Sequence, residues 1–219
     1  MQSSARGSEA EAFAAFVLRM RAAGIDDNRL FAAFEATPRR IFIPSEHQQA
    51  AFGARSCPIG CGESVEGLDL QGRVLASLDL QPGQRVLEIG TGSGFTAAVM
   101  SRIASRVTTV ERFRTLAAEA AERYRTLGLL NVLQRHGDAE KAIDGEGPFD
   151  RIVVWPAFDA MPRGYVDLLS SGGIMIAPIG PADDRQVLAR LTKVGSRFER
   201  SDIGIVRFQP IVRGIAATL

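Results

Sequence analysis

The sequence predicts an α/β protein built on a mostly parallel sheet with helices on both faces. Three observations carry this. From Gln84 onward, short apolar runs alternate with helical patterns. One run, Arg85–Ile89, passes directly into Gly90-Thr-Gly-Ser-Gly94 and then into a helix. An acid, Glu111, closes the next apolar run.

The N-terminal part is helical in pattern. Residues 1–8 read as a frayed tail. From Glu9 to Ala23, Phe13, Phe16, Val17 and Met20 fall at helical spacing, and Gly24 suits the stop. Asp26 or Asp27 can cap a second helix through about Ala36, closed by Pro38. The stretch PIGCGESVEG, Pro58 to Gly67, has neither helical nor alternating apolar period and reads as a loop. Leu68, Val74, Leu75 and Leu78 predict a helix ending near Gln81-Pro82-Gly83.

Seven strands come next: Arg85–Ile89, Val107–Val110, Val132–Arg135, Ile152–Val154, Ile174–Pro178, Val187–Lys193 and Ile205–Ile211. Helices over Phe95–Ala104 and Arg114–Leu127, and a short one over Pro162–Ser170, lie between them. The last two strands are joined through Gly195-Ser196-Arg197, which predicts antiparallel pairing. The chain thus divides into an N-terminal helical segment with its loop, 1–83, packed on a core, 84–219.

Composition narrows the function classes. Of 219 residues, 46% are hydrophobic and 23% charged, which is ordinary for a globular chain. A formal net charge of +1 gives no electrostatic case for nucleic acid or an anionic membrane as partner. Arg102, Arg106, Arg112 and Arg114 cluster in sequence and read as a solvated face. There is no apolar run of membrane-spanning length and no signal-like start, so a cytoplasmic setting is expected. Cys57 and Cys61 read as buried thiols; they provide neither a disulfide framework nor a metal site. His47 and His136 stand far apart and need no catalytic role, although His136 could flank an adenine.

The glycine stretch carries the strongest chemical signal. Glycines let the backbone turn sharply and approach a ligand closely, and the free amides of a helix start favour polar or anionic groups. Glu111, about 20 residues on, is placed where a carboxylate accepts both hydroxyls of a ribose. The spacing is G-x-G-x-G, not the G-x-G-x-x-G of dinucleotide sites. Glu88 can fix the glycine loop or reach an ammonium group, and Asp138 can accept from an adenine amine. That set suits S-adenosylmethionine, which has an adenosine and an amino acid but no pyrophosphate.

VLEIGTGSGF, with TVER, GD, PFDRIVV and SGGIMIAPIG, resembles the protein-L-isoaspartate O-methyltransferases. ATPRRIFIP and the PIG-x-G loop upstream, and IVRFQPI downstream, extend the likeness over roughly Ile25 to Ile211. The resemblance implies a doubly wound class I methyltransferase sheet, S-adenosylmethionine as methyl donor and an isoaspartyl protein or peptide as acceptor. It assigns Gly90, Thr91, Gly92, Ser93 and Gly94 to the methionine part of the cofactor, Glu111 to the ribose and Asp138 to the adenine, and the PIGCGESVEG loop becomes a lid. Glu88, Arg112 and Ala139, beside these residues, are further cofactor-binding candidates.

That lid departs from the family pattern PIG-x-GQTIS. Glu63 replaces a glutamine, Ser64 a threonine, and Glu66 the serine assigned to the active site. Beyond the fourth strand, Trp155-Pro156-Ala157 stands where the family has small residues. Glu66 and Ser64 are therefore the catalytic candidates, and Glu63, Val65, Trp155 and Pro156 the acceptor-side candidates. At its position Glu66 would repel an anionic acceptor, serve as base for a hydroxyl or amine acceptor, bind the cofactor's positive groups, or point to solvent. Trp155 would either cap the core or line the site. The acceptor is expected to be an isoaspartyl protein or peptide, or a small unidentified compound. The alternative to an enzyme is a non-catalytic homologue that binds cofactor or partner.

Overall fold

The computed structural model describes residues 2–139 and 141–216 of the chain, with side chains from residue 9. Helix α1 runs Gln2–Ala22. The expected frayed tail is thus corrected: the helix extends back from Glu9 to Gln2, and no proline interrupts that stretch. Gly24, at φ +81°, ends it, and Phe16 and Met20 form its buried face. Helix α2, Asn28–Glu35, is capped by Asp27, whose carboxylate accepts from the amides of Arg29 and Leu30.

Ring contacts tie this N-terminal segment to the core. Phe16 meets Phe34 at 5.2 Å, Phe34 meets Phe95 at 5.9 Å, and Phe42 meets Phe95 at 5.4 Å between centroids. Two short 3₁₀ turns then lead to a hairpin of two-residue strands, β1 (Cys57–Pro58) and β2 (Ser64–Val65), with Cys57 opposite Val65. Buried Arg39 braces it: the guanidinium donates to Ala51 O, Gln71 Oε1 and Glu66 O, and lies 4.5 Å over the Phe95 ring. Helix α3 (Leu68–Ser77) leads into the core.

The core alternates β3 (Arg85–Ile89), α4 (Phe95–Ser101), β4 (Arg106–Glu111), α5 (Arg114–Thr126), β5 (Val132–His136) and β6 (Phe149–Val154). Strands β7 (Leu169–Ile179), β8 (Gln186–Val194) and β9 (Arg197–Val206) complete a seven-stranded sheet of order β5-β4-β3-β6-β7-β8-β9. The first five in that order are parallel, and β8 and β9 are antiparallel additions. The strand order reverses between β3 and β6. A crevice opens there, beyond the carboxyl ends, where open α/β sheets take ligands.

Two expected elements are corrected. The helix predicted over Pro162–Ser170 is only a 3₁₀ turn, Arg163–Leu168, because Leu169 already pairs with Phe149 and starts β7. The strand predicted over Ile205–Ile211 is instead Arg197–Val206. Gly195, at φ +62°, makes a tight turn that lets β9 pair with β8 at once. The chain leaves the ladder after Val206 because fully buried Gln186 takes the backbone of Phe208, accepting from its N–H and donating to its carbonyl. Pro210, with no N–H, then crosses beside Ala157. The amide of Ala157 donates to Gln209 O, and that of Ile211 to Ala157 O, both at 2.8 Å.

Candidate active site

A cavity of about 400 Å³ lies at the carboxyl ends of β3, β4 and β6. Its floor is the glycine loop. Gly90, Gly92 and Gly94 have φ of +88°, +53° and +88°. A Cβ on Gly94 would stand 2.6 Å from Tyr124 Oη, and one on Gly90 would stand 3.0 Å from Pro156 Cδ. The loop is therefore glycine both for its turn and for the packing of α5 and Pro156 against it.

Glu111 ends β4 and is 5% exposed. Its Oε2 accepts from Gly92 N at 2.9 Å and its Oε1 from Phe113 N at 3.0 Å. Burial raises its pKa, while those amides oppose the shift. One amide on each oxygen leaves acceptor capacity toward the cavity, as a ribose diol requires. Ser93 also lines the cavity, with its buried hydroxyl unpartnered. Carboxylate, spare hydroxyl and glycine turn together fit an adenosyl methionine cofactor.

Glu88 is placed differently. It is fully buried beneath the loop and is not part of the cavity wall. Thr96 Oγ1 and Trp155 Nε1 donate to its Oε1, and Thr109 Oγ1 to its Oε2. Burial outweighs these donors and lifts the carboxyl to about 7. Thr91 Oγ1 lies 2.7 Å from Thr109 Oγ1 and accepts from Gln134 Nε2. Of the two roles open to Glu88, the geometry supports fixing the glycine loop, through Thr109 and Thr91.

Trp155 combines its two options. The indole N–H is held 3.0 Å from the buried Glu88, the ring packs 6.1 Å from Phe208, and the residue still lines the cavity beside Pro156. Asp138 is not in the wall, although its neighbours Gly137 and Ala139 are; its Oδ2 accepts from Gly214 N. Arg112 leaves the expected solvated face to line the cavity, with Nε donating to Gly214 O, while Arg102, Arg106 and Arg114 remain exposed.

The roof has two parts. From the lid come Glu63, Ser64, Val65 and Glu66; from the segment after β9 come Arg207, Phe208, Gln209, Pro210, Ile211 and Val212. They meet where the Gln209 amide, its nitrogen turned toward the lid, donates to both oxygens of Glu63. Burial raises the Glu63 pKa, Glu111 adds to the shift and Arg112 opposes it. Ser64 is exposed at the rim and Val65 is buried. Glu66 is half-buried, its carboxyl has no hydrogen-bond partner among the described residues, and burial lifts it to about 7. The strap 207–212 was not legible in the sequence as cavity wall; most of it falls in the strand expected over Ile205–Ile211.

The thiols are free: Cys57 is buried as expected, and Cys61, at φ +62°, is half-exposed. Neither histidine lines the cavity. Among the described residues no three His, Cys, Asp or Glu are grouped to hold a metal, and no helix is long and apolar enough to cross a membrane.

Residues 12–216 match the family described as Protein-L-isoaspartate(D-aspartate) O-methyltransferase. The chain belongs to that family. The protein-L-isoaspartate O-methyltransferase of Rhizobium meliloti is 44% identical over 202 residues, covering 92% of this chain and 99% of that protein. The Azorhizobium caulinodans protein of the same name is 42% identical over 206 residues, covering 94% and 95%. A Plasmodium falciparum chain solved with S-adenosyl-L-homocysteine shares the fold at a TM-score of 0.78 and 22% identity, over 90% of this chain and 97% of that one. In the cavity wall, the Ser93 hydroxyl and the Glu66 carboxyl are without a hydrogen-bond partner among the described residues, and Glu111 is engaged by backbone amides alone. None of the comparisons supports the non-catalytic alternative.

Proposed function

We propose that the protein transfers the methyl group of S-adenosylmethionine to the carboxylate of an isoaspartyl residue in a protein or peptide. The observation that carries this is the cavity itself: a glycine turn and a half-engaged buried Glu111 on one side, a lid and strap on the other, in a chain of the isoaspartate O-methyltransferase family. The cofactor supplies a methyl on a positive sulfur, which a carboxylate oxygen can displace in line.

The residues of the chain do the rest. Glu111 binds the ribose hydroxyls. The Gly90–Gly94 backbone and Ser93 Oγ bind the amino acid end, with Arg112 close by. Gly137 and Ala139 flank the adenine. A carboxylate acceptor is ionised at neutral pH, with a reference pKa of about 4, so it needs alignment more than a base. The lid residues Ser64, Val65 and Glu66 give that alignment from above, and Trp155 and Pro156 form the facing wall. The Glu63–Gln209 contact holds lid and strap together, which keeps water from the reacting atoms. The reading includes a reducing, cytoplasmic setting, supported by the two free thiols.

Methyl-labelled cofactor tests it directly. An isoaspartyl peptide should take the label and the matched aspartyl peptide should not. Label appearing on small hydroxyl or carboxyl compounds, with none on isoaspartyl peptide, would replace this acceptor with another, the outcome to which the aromatic wall of Trp155 and Phe208 points.

A further inference from the structure

This inference rests on the isoaspartyl reading and concerns how the same site tolerates an anion. The cavity wall holds three carboxyl side chains, Glu63, Glu66 and Glu111, against two guanidinium groups, Arg112 and Arg207. Two of the carboxyls are engaged: Glu111 by the amides of Gly92 and Phe113, and Glu63 by Gln209. Glu66 stands apart. Its carbonyl is pinned by Arg39 Nη2 at 2.8 Å, which fixes the residue in the wall, yet its carboxyl has no partner among the described residues.

The charges around it are directed elsewhere. The Arg39 guanidinium serves Ala51 O, Glu66 O and Gln71 Oε1. Arg112 donates to Gly214 O, and exposed Arg207 reaches toward Asp183 O. Burial is the one cause that shifts the Glu66 carboxyl, upward to about 7. Such a group keeps its proton in mildly acid solution and then has an O–H to give and, among the described residues, no partner to receive it.

We propose that Glu66, as a neutral carboxylic acid, donates its O–H to the acceptor carboxylate and thereby positions an anion that ionised Glu66 would repel. The proton stays on Glu66 throughout. One acceptor oxygen forms the bond to the methyl carbon, the carbon–sulfur bond breaks with its electron pair going to sulfur, and a neutral ester leaves. An acceptor carboxyl with a pKa of about 4 is ionised while Glu66 is still protonated, so both forms coexist from about pH 5 to about pH 7.

The test is a pH profile of kcat/KM on an isoaspartyl peptide. Wild-type protein should lose activity as pH rises through about 7, by up to about tenfold per unit. Glu66→Gln keeps a donor that does not titrate, and its profile should be flat over that range. Glu66→Leu, with no donor, should be slower than Glu66→Gln at every pH. A second readout needs no turnover. Peptide binding to protein loaded with S-adenosylhomocysteine, followed by calorimetry near pH 7.5 in two buffers of different ionisation enthalpy, should show proton uptake in wild type and none in Glu66→Gln. Methylated peptide with a flat wild-type profile and no proton uptake overturns the role of Glu66 and leaves the proposed function standing. No transfer to peptide by either protein at any pH, with label found on another acceptor, overturns both.

Discussion

The floor and the roof of the cavity are built by different means. The floor is main chain: three glycines with positive φ, Gly90 N on Val110 O, and amides that fix the Glu111 carboxylate from residues close to it in the same layer. The roof is side chain. Two-residue strands carry the lid, Arg39 braces it, and a single amide–carboxylate contact, Gln209 to Glu63, joins it to a strap more than 140 residues later in the chain. Backbone geometry tolerates few sequences, whereas side-chain contacts can be exchanged in pairs. By the resemblance read from the sequence, the glycine floor keeps the family pattern and the lid departs from it.

The largest expected effect strikes beneath the floor. Glu88→Ala leaves the buried hydroxyls of Thr96 and Thr109 and the half-buried Trp155 indole N–H without their acceptor. The loss should be about 3–5 kcal/mol of stability by urea unfolding. A loss under about 1 kcal/mol would show that the network does not hold the floor.

Glu111→Ala removes the acceptor proposed for the ribose. It should weaken S-adenosylhomocysteine binding by about 1.5–3 kcal/mol in calorimetry, roughly ten- to hundredfold. Equal affinity in the variant would move the ribose elsewhere.

Stability should depend on pH in a direction set by the raised carboxyls. Glu88 and Glu66 sit near 7 in the folded protein, against about 4.3 in the unfolded chain. The folded state therefore binds extra protons between those values, and stability should rise as pH falls from about 7 toward about 4.5. Each group contributes up to about 1.4 kcal/mol per unit there, less for Glu66, which solvent partly reaches. Urea midpoints at about pH 5.5 and 7.5 check the sign, and Glu66→Gln should reduce the difference. Stability rising with pH over this window would contradict it.

The smallest effect belongs to the roof. A double-mutant cycle over Glu63→Ala and Gln209→Ala, read on S-adenosylhomocysteine affinity, should give a coupling of about 1 kcal/mol. Additive losses would mean that lid and strap close independently.

The sequence by itself determined the floor and the layers around it. Apolar periodicity, the strand–glycine–helix junction and the acid at the end of the next strand are local or nearly local signals, and backbone physics leaves them few alternatives. Tertiary structure decided the roof and the state of its acids. Arg207–Val212 has a strand's composition, and only the clamp of Gln186 on Phe208, from a neighbouring strand, takes it out of the ladder and over the cavity. Glu88 and Glu66 are the same residue type in sequence. One is buried with three donors, Thr96, Thr109 and Trp155, and the other lines the cavity with none among the described residues, because burial and partner are set by how the segments pack and not by residue type.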